Sequence, residues 1–69
     1  MAKLNVVVNG EKREVDPGTT VLDLLQTLEI RRGPVAVEVN STVVRRAQHG
    51  AFRLSAGDKI EIVTLVGGG

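Results

Sequence analysis

The sequence predicts an α+β fold, a mixed sheet of four to five strands packed on one main helix. Three observations predict it. Leu4, Val6 and Val8, then Val35, Val37 and Val39, alternate with mostly polar residues at the period of two that marks half-buried strands. Val21, Leu24, Leu25 and Leu28 fall at i, i+3, i+4 and i+7, a single helical stripe. That stripe stands once, mid-chain, instead of alternating with every strand, which separates an α+β plan from a parallel α/β one. At 69 residues the chain holds one core, in the size range where only about 60% of the unfolded surface is buried.

The first strand spans Leu4 to Val8, with Val7 as an apolar exception on its outer side. Asn9-Gly10 follows, and because both residues tolerate positive φ the chain should double back in a tight hairpin. The return strand, Glu11 to Val15, is short and charged, as suits a sheet edge. Asp16-Pro17-Gly18 marks a turn, and Thr19 or Thr20 can cap the helix, with Asp23 at the third position from Thr20. Arg31 and Arg32 suit the negative pole of the helix, Gly33 can take the left-handed closing residue, and Pro34 prevents continuation. The second alternating strand begins at Val35 and turns at Asn40-Ser41 into a short strand at Val43-Val44. A polar stretch, Arg45 to Gly50, carries no clear pattern. Phe52 and Leu54 close the core, Ser55 to Asp58 makes the last turn, and Ile60 and Ile62 point inward from a final strand whose outer side carries Glu61, Val63 and Leu65.

Composition excludes several functions. Nine basic against eight acidic residues give a net charge of +1, too balanced for a protein that coats phosphate backbones, and Phe52 alone makes no stacking platform for single strands. Nucleic acid is therefore not an expected partner. No apolar run approaches the roughly 20 residues of a membrane span, and the absence of Cys points away from an oxidising compartment. The expectation is a soluble, cytoplasmic protein. Catalytic and metal sites are not expected: His49 is the only histidine, read as a surface residue of a polar loop, and Asp16, Asp23 and Asp58 each have a turn or cap role. Gly67-Gly68-Gly69 is no phosphate loop, because no helix or Lys-Ser/Thr follows it.

A hairpin, one helix and further strands at this length resemble the β-grasp fold of ubiquitin, in which the first and last strands run parallel at the centre of the sheet. The resemblance becomes specific in Val8-Asn9-Gly10-Glu11, Gly18-Thr19-Thr20-Val21 with Leu24-Leu25, Ala36 to Asn40 with Val44 and Arg46, Leu54, Gly57-Asp58, Ile60-Glu61-Ile62 and the terminal glycines. In that order they look like the bacterial sulfur carriers of thiamin biosynthesis, the ThiS family. The chain departs from that pattern in a third glycine and in the lack of a bulky residue between Arg45 and Gly50.

The resemblance implies a carrier and not a catalyst, with residues 1–66 as the domain and residues 67–69 as a flexible tail. An E1-like adenylyltransferase would use ATP, which this chain does not itself bind, to adenylate the α-carboxylate of Gly69, with Gly67 and Gly68 threading the enzyme's channel. Glycine, without a Cβ, passes where other residues cannot. Sulfur from a relay fed by a cysteine desulfurase would leave a thiocarboxylate there, for delivery to thiazole synthase. No side-chain thiol competes for that role, and the free protein is expected to be a monomer. Val7, Val63 and Leu65 would then lie side by side as an apolar docking patch, while Arg46 and Arg13 are expected to be solvated. Other readings are the small molybdopterin-synthase subunit, a ubiquitin-like modifier whose tail forms an isopeptide bond, and a plain β-grasp interaction domain.

Overall fold

The computed structural model describes residues 2–30 and 34–64. Its elements are β1 (Leu4–Val8), β2 (Glu11–Val15), α1 (Val21–Thr27), β3 (Val35–Val39), β4 (Thr42–Val44) and β5 (Lys59–Thr64), with a 3₁₀ turn at Arg46–Gln48. The strands form one mixed sheet in the order β2-β1-β5-β3-β4. The first and last strands are parallel neighbours at its centre, and the helix covers one face. This is the expected ubiquitin-like β-grasp arrangement.

The hairpin forms where Asn9 and Gly10 take φ of 50° and 85°. Asn40 and Ser41 repeat the device between β3 and β4, with φ of 52° and 70°. Thr20 caps α1 in a full capping box: its side chain accepts from the Asp23 amide, and the Asp23 carboxylate accepts from the Thr20 amide. Two of the orphan amides at the helix start are thereby satisfied. The segment around Phe52 ties that start to the rest of the chain, through Val21 N–H to Phe52 O and Leu54 N–H to Thr19 O, both 2.9 Å.

Val21, Leu24 and Leu25 from the helix meet Val6, Val8, Val37, Val39, Ile60 and Ile62 from the sheet, with Val44 and Leu54 completing the core and Leu28, Ile30 and Phe52 packed at its margin. The alternation read from the sequence therefore places the inward side chains correctly.

Two local expectations are corrected. The helix ends at Thr27 with Leu28 as its cap residue, a turn before the arginines. Glu29 takes the left-handed conformation that closes the helix, with φ of 60°. Glu29 N–H donates to Gln26 O and Ile30 N–H to Leu25 O, the two bonds of a Schellman closure. Ile30 turning back onto the core sets this stop. The expected roles of Arg31, Arg32 and Gly33 lie outside the described residues. The second correction is His49, which is buried at 5% exposure. The 3₁₀ turn carries it under α1, where its Nε2 lies 3.0 Å from Val44 O and its own carbonyl accepts from Leu22 N–H.

Candidate functional site

The candidate site is built on β5, the strand that leads toward the glycines. Five residue pairs join it to β3, from Val39↔Ile60 to Val35↔Thr64. Its other flank is less covered, because β1 pairs only as Val7↔Lys59 and Val8↔Ile60 before the chain turns away at Asn9. Asn9 fills that gap with its side chain. Its Nδ2 donates to Ile62 O at 3.2 Å, and its Oδ1 accepts from Ile62 N–H at 2.8 Å. A side-chain amide thus does the work of a peptide unit and continues the ladder past the end of β1. Asn40 and Asp58 secure the start of the strand. Lys59 N–H donates to Asn40 Oδ1 at 2.9 Å, Asn40 Nδ2 donates to Asp58 Oδ1 at 2.9 Å, and Asp58 Oδ2 accepts from Ser55 N–H at 2.7 Å. β5 is held along its length, up to Thr64.

Gly67, Gly68 and Gly69, and Leu65 of the expected patch, lie outside the described residues. Val63 is on the outer face, 55% exposed, and Val7 is half-buried on the same face. They do not lie side by side, because Val7 is in register with Lys59. Val63 stands four residues farther along β5, on the order of 13 Å at the usual rise per strand residue. Its cross-strand partner is Ala36 of β3.

The rest of the outer face follows from the register. Lys12, Val7 and Lys59 form one row across β2, β1 and β5. Glu61, Glu38 and Val43 form the next across β5, β3 and β4. Val63 and Ala36 form the row nearest Thr64. Val43, 64% exposed, was not expected in the patch; its place depends on the β3–β4 register, which the turn at Asn40-Ser41 sets. Arg13 and Arg46 are exposed. Among the described residues no group of three or more His, Cys, Asp or Glu is placed to hold a metal ion, and no helix is long and apolar enough to cross a membrane.

Comparison with known proteins agrees with this architecture. The sequence model of the ThiS family matches residues 6–69. Over 66 residues the chain is 41% identical to a thiazole synthase of Magnetococcus marinus, covering 96% of this chain but 20% of that protein. A second thiazole synthase, from Paramagnetospirillum magneticum, is likewise spanned over only 20% of its length. The sulfur carrier protein ThiS of Escherichia coli is 27% identical over 66 residues, which are 96% of this chain and 100% of that protein. The crystal structure of a thiamine biosynthesis protein (ThiS) from Geobacter metallireducens superposes with a TM-score of 0.80 at 33% identity, covering 96% of this chain and 100% of that one.

Proposed function

This chain belongs to the ThiS family, and from that premise we propose that it carries sulfur for thiamin biosynthesis on the α-carboxylate of Gly69. It acts as a carrier and not as a catalyst. The observation that carries the proposal is the central strand β5, clamped by β3, Asn9 and the Asn40–Asp58 pair up to Thr64 and leading to Gly67-Gly68-Gly69. A rigid handle with a terminus free of side chains suits a group that must enter another protein's site. The family match, which runs to Gly69, supports the same assignment.

The chemistry follows from the carboxylate. Its oxygen is a poor leaving group, so the acyl carbon must be activated before sulfur can replace oxygen. An E1-like adenylyltransferase supplies that step, joining the Gly69 carboxylate to AMP and releasing pyrophosphate, with Gly67 and Gly68 in its channel. A persulfide of a relay fed by a cysteine desulfurase displaces AMP, and thiol cleavage of the resulting acyl disulfide leaves the thiocarboxylate. With no cysteine in the chain, no side-chain thiol diverts the sulfur. A cargo this readily oxidised fits the reducing cytoplasm. Thiazole synthase is the acceptor, a choice supported by proteins of that name in which a stretch similar to this chain forms a fifth of the polypeptide. Docking uses the outer face of the sheet around Val63, and Leu65 of the sequence-expected patch is proposed as a further contact. ThiS relatives from Escherichia coli and Geobacter metallireducens favour thiamin over a pterin as the destination.

The activation step is tested with the adenylyltransferase of the same organism and ATP. Pyrophosphate release is expected with the full chain and is expected to vanish when Gly69 is deleted. Release that survives the deletion contradicts a tail-centred mechanism.

A further inference from the structure

The outer face of the sheet holds an arrangement that the fold does not need. Glu38 and Glu61 are direct cross-strand partners of β3 and β5, and alternation puts both on the face away from the helix. Side chains in such a pair have Cβ atoms roughly 4.5–5.5 Å apart, and like charges there oppose sheet formation. Neither is in an ion pair: among the described residues the one ion pair joins Lys3 to Asp16, at 2.9 Å, and Lys59, two residues before Glu61 on the same face, makes none with them. The pair is flanked by the row of Lys12, Val7 and Lys59 on one side and by apolar surface on the others. Val43 sits across from Glu38 on one side, and the Val63–Ala36 row lies next to it on the way to Thr64. Exposures of 64% at Val43 and 55% at Val63 leave both available for contact.

We propose that this face docks a protein surface presenting an arginine beside an apolar contact, the guanidinium seated between Glu38 and Glu61, and that the surface belongs to thiazole synthase. The inference rests on the carrier function and specifies how the carrier is held. Charge complementarity selects the occupant. A planar guanidinium can bond two carboxylates at once, which a lysine ammonium does less well, while Val43 and Val63 exclude water from the pair. Two carboxylates are too few for a calcium site of six to eight oxygen ligands. A second copy meeting this face two-fold would bring its own Glu38 and Glu61 against these, so self-association is disfavoured. Thiazole synthase is the partner of choice because relatives 41% and 38% identical to this chain carry the similar stretch within proteins of that name.

The test measures binding of the full chain to the thiazole synthase of the same organism, at low and raised salt, for the wild type and the double variant Glu38→Gln, Glu61→Gln. The double variant is expected to bind about tenfold or more weakly and to lose most of the salt dependence. Its unfolding midpoint should equal or exceed that of the wild type, since a repulsion has been removed, so weaker binding cannot be put down to misfolding. Equal affinity with an unchanged salt response overturns the proposal, as does a wild type that does not bind the synthase. Sulfur uptake at Gly69, followed by mass in the same samples, separates the two levels. Uptake by the wild type together with unaltered binding by the variant overturns this inference alone, whereas no uptake overturns the carrier function beneath it.

Discussion

Asn9 has two separable roles in this fold. Its φ of 50° makes the hairpin turn, and its amide bonds both polar groups of Ile62. Asn9→Gly keeps the turn conformation and removes the amide; the relief of left-handed strain and the extra freedom of glycine in the unfolded chain act in opposite directions, so its net cost reports chiefly on the second role. Denaturant unfolding should show a loss of about 1–3 kcal/mol, the usual penalty for leaving a hydrogen-bonding group without its partner. A loss near zero would mean that water replaces the amide freely. Glu29 gives the opposite sign. It holds a left-handed φ of 60° at the helix end, a conformation that costs a residue with a Cβ roughly 1–2 kcal/mol. Glu29→Gly should therefore stabilise the protein by about 1 kcal/mol, offset only in part by the extra freedom of glycine in the unfolded chain. An unchanged or lower unfolding midpoint would contradict that account of the helix stop.

At the scale of the element, β5 separates two consecutive side chains into different environments. Ile62 is 7% exposed in the core, and Val63 faces outward. Ile62→Ala should cost about 2–5 kcal/mol, as buried truncations do. Val63→Ala should change stability by no more than about 1 kcal/mol, the span of strand propensity, while weakening partner binding. Comparable losses of stability at both positions would mean that the faces of β5 are misassigned. These faces were legible in the sequence, because alternation at Ile60 to Val63 is a local property of the strand. So were the Asn9-Gly10 hairpin and the Thr20–Asp23 capping box, whose partners lie within a few residues of each other. The helix stop was not. Arg31, Arg32, Gly33 and Pro34 form a conventional ending, but Ile30 is drawn into the core first and closes the helix at a residue with no preference for the left-handed region. His49 was missed for a similar reason: its burial depends on a 3₁₀ turn docking under α1, and a lone histidine in a polar run carries no trace of that contact. Val43 and the Glu38–Glu61 pairing required the register between strands far apart in sequence.

For the molecule as a whole, one face of the sheet is covered by the helix, the other is uncovered among the described residues, and the strand that leads toward the glycines runs through the centre. The arrangement divides the labour between parts. Under the proposed function the buried face keeps β5 in place, the outer face is what a partner holds, and the glycines are what is offered to its active site. The candidate tail rests on composition, three glycines after an apolar strand, and on resemblance, and lies outside the described residues. The placement of the expected patch was legible only in part, since Val7 and Val63 share the outer face but not a neighbourhood.

The proposed function puts sulfur on the α-carboxylate of Gly69. It is tested most directly by intact and fragment mass spectrometry of the protein purified from growing cells under conditions that demand thiamin synthesis. A fraction of the protein is expected with one oxygen exchanged for sulfur, the change confined to the fragment that ends in Gly69. A population wholly unmodified, or one joined through Gly69 to lysines of other proteins, would contradict it.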